Sequence, residues 1–185
     1  MTPSDPCPKK AFPKLADLIE YLESLEGRAD LAVLSRLLET TDLCAADIAP
    51  VCIFGERGYK RNTIARSEHF ELLALCWRSG DSTPIHDHRG NSCVFKVVAG
   101  TGTEIRFQPT DSGLVCPVTT TSMAAGYICS ADDPDIHMVA NMQPKGQDLV
   151  TLHIYSPPIA KMNTFTFAKP TVVESGICVG VGDGI

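Results

Sequence analysis

The chain has 185 residues, of which 44% are hydrophobic and 21% charged, with a formal net charge of −6. These values describe one water-soluble domain with enough chain to bury a sizeable core. The acidic balance argues against nucleic acid or an anionic membrane as partner, and no apolar run reaches the length of a membrane span.

The N-terminus, MTPSDPCPKK, has no basic stretch followed by an apolar one, so it does not read as a signal peptide. The eight cysteines, at 7, 44, 52, 76, 93, 116, 129 and 178, are therefore read as cytosolic thiols. They show no CxxC pairing and no zinc-finger spacing, and most fit the role of small buried hydrophobes.

Residues 12–26 place Leu15, Leu18, Ile19, Leu22 and Leu25 at helical spacing, with Pro13 tolerated in a first turn. Asp30 to Glu39 repeats the pattern with Leu31, Leu34, Leu37 and Leu38. A short third helix is expected to start at Thr41 or Asp42, as N-cap, and to stop before Pro50. Beyond residue 58 the character changes. HFELLALCW, SCVFKVVAG, GTEIRFQ, HMVAN and DLVTLHIYS are short, apolar or alternating, and are separated by Gly, Pro, Asp and Ser clusters. The prediction is a mainly β protein: antiparallel strands closed as a sandwich or barrel behind a small α-helical N-terminal region. No repeat or linker divides it. The expected organisation is one domain over 1–185, with a helical region at 12–50, a barrel core at 59–168 and a C-terminal tail at 169–185.

The five histidines are 69, 86, 88, 137 and 153. On a strand, His86 and His88 point to one face. An isolated HxH pair reads more readily as two polar residues beside a turn. Its frame here is Gly80, five residues, His86-Asp87-His88, four residues, Cys93, six residues, Gly100. That frame resembles the first signature of the cupins, G-x5-HxH-x3,4-E-x6-G, with Cys93 in place of the glutamate. A second cupin signature ends in H-x3-N, supplied by His137 and Asn141. Gly126 stands at its opening glycine, its proline is displaced to Pro134, and its internal glycine is missing. The resemblance implies a jelly-roll β-barrel. It also implies a metal held by His86, His88 and His137, with positions left open for catalysis. Imidazole alone does not choose between iron, zinc, copper and nickel. Three neutral ligands leave a divalent ion its full charge, so an anionic substrate such as a thiolate suits it.

Four segments carry a narrower resemblance: YKRN (59–62), LLALCW (72–77), HMVAN and LHIYSPP (152–158). Together they resemble the cysteine dioxygenases of mammalian type, non-haem iron enzymes on a cupin fold. The resemblance implies one Fe(II) per chain, no organic cofactor, and a small thiol plus O2 as substrates. It also implies Arg61 as partner of the substrate carboxylate with Tyr59 beside it, and Tyr155 as the active-site hydroxyl, placed by His153. Cys93 would be thioether-linked to Tyr155, and Ser156-Pro157 would be cis. The reaction implied is L-cysteine to its sulfinic acid, in cysteine catabolism and taurine biosynthesis. The expected protein is a cytoplasmic monomer with no nucleic-acid or membrane partner.

The residues alone leave other readings standing. Arg61 also reads as a solvated surface arginine, although its planar fork suits a carboxylate. His153 reads also as a core histidine, and Cys93 as an uncrosslinked buried thiol. The ArgGlyAsn run at 89–91 supplies a turn, so Cys93 need not keep the phase of the histidine pair. The rival activities are dioxygenation of 3-mercaptopropionate, a non-catalytic metal-binding cupin, and a three-histidine zinc hydrolase. The last needs a general base, and Asp87, pointing away from the histidines, is poorly placed. Met162 is a candidate pocket residue, and the Gly- and Val-rich tail has no functional reading.

Overall fold

The computed structural model describes residues 7–88, 91–131, 135–159 and 161–167. The expected turn at 89–91 is thus described only at Asn91. Pro134, Cys178 and the tail 169–185 lie outside the described residues.

The predicted first helix is broken. It becomes α1 (Pro8–Ala11), a 3-10 turn (Pro13–Leu15) and α2 (Ala16–Glu23). Pro13 opens the 3-10 turn, where its missing N–H leaves no helical bond unmade. Leu15, Leu18, Ile19 and Leu22 are buried as their spacing requires. In α3 (Leu31–Thr40) the Asp30 carboxylate caps the start, accepting from Ala32 N at 2.8 Å and Val33 N at 3.1 Å. Thr41 was expected to open a third helix. Instead it closes α3, its hydroxyl donating to Leu37 O at 2.7 Å. The third helical segment is a 3-10 stretch, Ala45–Val51, kinked at Ile48. Pro50 lies inside it, beyond the kink, where the ladder is already interrupted.

Ten strands follow: β1 (Lys60–Arg66), β2 (Glu71–Trp77), β3 (Ile85–His86), β4 (Ser92–Ala99), β5 (Thr101–Pro109), β6 (Val115–Ala124), β7 (Ile128–Ala131), β8 (Ile136–Ala140), β9 (Leu149–Ser156) and β10 (Thr164–Phe165). They form two five-stranded sheets, ordered β1-β2-β9-β4-β7 and β10-β3-β8-β5-β6, with every pairing between strands antiparallel. The expected all-β core behind a helical N-terminus is therefore present. Strands β1, β3, β6, β7 and β10 lie outside the apolar runs that announced the others.

Both faces of the first sheet are covered, so its central strands are buried along their length rather than alternating. Leu72, Ala74, Val94, Leu152 and Ile154 face the helices and join the cluster of Leu18, Ile19, Leu34 and Leu38. The alternate residues Leu73, Leu75, Trp77, Phe95, Val97 and Tyr155 face the barrel interior. Fully burying one such aliphatic side chain stabilises the fold by about 1.5–3 kcal/mol. Lys96 is the charged residue on the helix-facing side of β4. It donates to Leu38 O at 2.8 Å and Thr41 O at 2.6 Å, satisfying carbonyls at the end of α3. Gly100, the last glycine of the first signature, has φ +79°, and an added Cβ there would collide with the Asp148 carbonyl oxygen.

Candidate metal centre

The histidines converge through strand pairing. β3 joins β8 with His86 directly opposite His137. β3 ends at His86, so His88 stands beyond the strand rather than on its face as expected, and still points inward. The ligand atoms of His86, His88 and His137 all lie within 4.8 Å of one another. All three residues are buried. Asp87 faces away, as expected, accepting from the backbone N and side-chain Nδ2 of Asn163 at 3.1 and 2.7 Å.

The state of the three rings follows from their surroundings. His86 Nδ1 lies 2.9 Å from Pro84 O, which can only accept, so Nδ1 carries the proton and Nε2 offers a lone pair. His137 Nδ1 lies 2.8 Å from Glu104 Oε1. Burial acts to raise the Glu104 carboxyl, but the His137 hydrogen bond, the His137 charge and Arg106 outweigh it and hold the group below its ordinary range. Glu104 accepts from His137 Nδ1, so Nε2 is the nitrogen turned towards the other two histidines. His137 Nε2 and His88 Nδ1 are buried atoms without a hydrogen-bond partner among the described residues. Native proteins rarely leave such atoms unanswered, and a cation would answer them. Glu104, Asp135 and His137 form a second close group, but Arg106 already pairs with both acids, at 3.1 and 3.6 Å. That group reads as an ion-pair network behind His137.

Burial and the neighbouring histidine charges push His86 down to about 4 and His88 to about 3, against an ordinary 6.5. Both rings are therefore neutral, the form that ligates metal, at neutral pH. The unfolded chain takes up these protons near 6.5 and the folded chain only near 4 and below, so acid favours unfolding. Stability of the metal-free protein is expected to fall as pH drops from about 6.5 towards 4, with a shallower fall in His86→Asn. Thermal unfolding across that range checks it. A flat profile would mean that the rings titrate normally.

Around the triad, a pocket is lined by Tyr59, Arg61, Cys93, His153, Tyr155 and Met162, among others. The predicted ligands, the Arg61–Tyr59 pair, the Cys93–Tyr155 pair, His153 and Met162 thus all reach one cavity. Tyr59 stacks on Trp77, with centroids 4.3 Å apart. Arg61 lies over the Tyr155 ring, 5.3 Å from its centroid. Cys93 is the cross-strand partner of Tyr155 between β4 and β9. The Ser156-Pro157 bond is cis, as expected.

A hydrogen-bond relay runs behind the tyrosine. Trp77 Nε1 donates to Thr151 Oγ1 at 2.9 Å. Thr151 Oγ1 lies 2.9 Å from His153 Nε2, and His153 Nδ1 lies 3.1 Å from Tyr155 Oη. The indole can only donate, so Thr151 Oγ1 accepts there and keeps its proton and a second lone pair for the contact with His153 Nε2. With the Thr151 proton given to Nε2, Nδ1 donates to Tyr155 Oη and the phenol proton is left for the pocket; with Nε2 protonated, the phenol donates to Nδ1. Burial keeps His153 neutral and Tyr155 protonated in both arrangements. Thr151 and Glu104 are the members that sequence reasoning missed. Both sit at inward-facing strand positions among apolar neighbours.

Two antiparallel sheets around a buried three-histidine cluster define a cupin with a candidate metal centre, an open pocket and a protonated tyrosine beside it. The sequence pattern of the family described as "Cysteine dioxygenase type I" matches residues 8–167, and the chain belongs to that family. It is similar to "Cysteine dioxygenase type 1" of Rattus norvegicus, at 29% identity over 157 residues, covering 82% of this chain and 78% of the relative. The Homo sapiens protein of the same name is 28% identical over 159 residues, with the same coverage. A solved structure from Klebsiella pneumoniae, an "uncharacterized conserved protein with double-stranded beta-helix domain", aligns with 14% identity and a TM-score of 0.49, covering 64% of this chain and 93% of that one. Membership makes the chain an oxidoreductase of the thiol dioxygenase class. Among the described residues no helix is long and apolar enough to cross a membrane.

Proposed function

We propose that this one-domain cupin converts L-cysteine and O2 to cysteine sulfinic acid at a single Fe(II) held by His86, His88 and His137. The observation that carries the reading is the presence of Arg61 in the same pocket as the triad, together with a thiol dioxygenase family. The three imidazoles form a donor set whose ligand nitrogens converge. Iron, when bound there, supplies the electron exchange with O2 that no side chain in the pocket can supply.

The chain's own residues do the rest. Arg61 takes the substrate carboxylate and fixes the orientation of the thiol towards the triad, with Tyr59 walling the same side. Tyr155 donates its phenol proton to the carboxylate or to oxygen on the substrate, and the Thr151–His153 relay holds that hydroxyl in place. The apolar wall of Leu75, Phe95 and Val139 excludes water from the reacting sulfur.

Cys93 adds a covalent feature. Its place opposite Tyr155 supports a thioether between Cys93 Sγ and the tyrosine ring. Forming it removes the thiol hydrogen and one ring hydrogen, with O2 as the oxidant. Protein that has turned over is expected to include a species lighter by two hydrogen atoms in intact-mass analysis. Cys93→Ser should lack that species. A wild-type mass unchanged after many turnovers would leave Cys93 as a plain buried thiol.

The substrate assignment is tested by comparing kcat/KM for L-cysteine and 3-mercaptopropionate on the Fe(II)-loaded protein. L-cysteine is expected to be preferred. Preference for 3-mercaptopropionate would keep the class of reaction and move the substrate.

A further inference from the structure

Glu71 adjoins the pocket residues Arg61 and Tyr155, and the proposed reaction gives it no part. It is buried, with a side chain only 8% exposed, and it engages two arginines. Its Oε2 accepts from Arg61 Nη2 at 3.0 Å and its Oε1 from Arg66 Nη1 at 2.9 Å. The strand geometry explains the meeting. Arg61 and Arg66 are five positions apart on β1, an odd offset that would put them on opposite faces of a regular strand. A bulge between Thr63 and Ala65 adds one residue and restores the phase, so Arg61 opposes Leu75 while Arg66 opposes Glu71. Leu75 and Glu71 are four apart on β2 and share a face. Along the row, Glu71 opposes Tyr155, and Tyr155 opposes Cys93.

A lone glutamate against Arg61 would cancel the charge that a substrate carboxylate needs. Arg66 changes that balance. With one carboxylate oxygen committed to each guanidinium, the trio keeps one net positive charge, and Glu71 cannot close a two-pronged grip on Arg61. Arg61 is then anchored at Nη2 and presents the rest of its fork to the cavity. We infer that Arg66, acting through Glu71, is a positioning residue that keeps Arg61 both fixed and net cationic for the substrate's carboxylate. This inference rests on the reading of Arg61 as the carboxylate partner.

The test is anaerobic titration calorimetry of the Fe(II)-loaded protein with L-cysteine and with cysteamine, which has the thiol and amine but no carboxylate. Arg66→Met is expected to weaken L-cysteine binding roughly fivefold, reduced from the bare Coulomb value by solvent around an arginine that is largely exposed. Cysteamine binding should be unmoved, and the loss should appear in KM rather than kcat. In a Glu71→Gln background, where no charge remains to be balanced, Arg66→Met should change L-cysteine binding by less than about twofold. No loss in Arg66→Met, or an equal loss with Glu71→Gln, would overturn the inference. Arg61→Met separates the two readings: if it fails to weaken L-cysteine relative to cysteamine, the carboxylate role of Arg61 fails, whatever Arg66 does.

Discussion

His137→Ala is expected to lose the bound metal and, with it, all turnover. The ring is fixed on β8 opposite His86, its Nδ1 is committed to Glu104, and its Nε2 faces the other two histidines with no other partner. Removing it leaves two imidazoles, too few to hold a divalent ion in a defined open site. It also leaves Glu104 without its closest hydrogen bond, with Arg106 as the remaining ion-pair partner. Metal content by mass spectrometry should fall from about one ion per chain to near zero in the variant. Circular dichroism and a parallel His137→Gln variant separate metal loss from misfolding. Full metal occupancy in a folded His137 variant would remove this residue from the ligand set.

Arg61→Met is expected to lower kcat/KM for L-cysteine by roughly 30- to 150-fold, the value of a charge-assisted hydrogen bond of about 2–3 kcal/mol. Methionine keeps an apolar stem over Tyr155 while removing the guanidinium, so the loss reports on charge and hydrogen bonding. The change should fall mainly on KM, because a carboxylate remote from the reacting sulfur is bound alike before and during reaction. Saturation kinetics of O2 uptake measure it. Wild-type kinetics in Arg61→Met would turn the residue back into a surface arginine paired to Glu71.

The parts of the site that could be read from the sequence are those in which identity and spacing coincide. The HxH pair and His137 four residues before Asn141 stand at signature spacings, and His153 two residues before Tyr155 has the strand period that puts both on one face of β9. The parts that could not be read depend on register between distant strands. Glu104 meets His137 because β5 pairs with β8, and nothing local to GTEIRFQ says so. Thr151 becomes a relay atom because Trp77, on the neighbouring strand, reaches its hydroxyl. Glu71 meets both Arg61 and Arg66 because of a single bulge. The helical region shows the same limit. The leucine spacing announced α3, which Asp30 caps, whereas Thr41 has the composition of an N-cap and is used at a C-terminus. Strand β6 escaped because its polar run of threonines carries too few apolar positions for a strand pattern to stand out.

The class of reaction, and the placing of its oxygen on sulfur, stand or fall on one measurement. Fe(II)-loaded protein is mixed with L-cysteine under 18O2, and the sulfinate is analysed by mass spectrometry. The account predicts a sulfinate carrying both labelled atoms, formed with one O2 consumed per cysteine. Labelled sulfinate with a single 18O, disulfide as the main product, or no O2 uptake at full metal loading would contradict it.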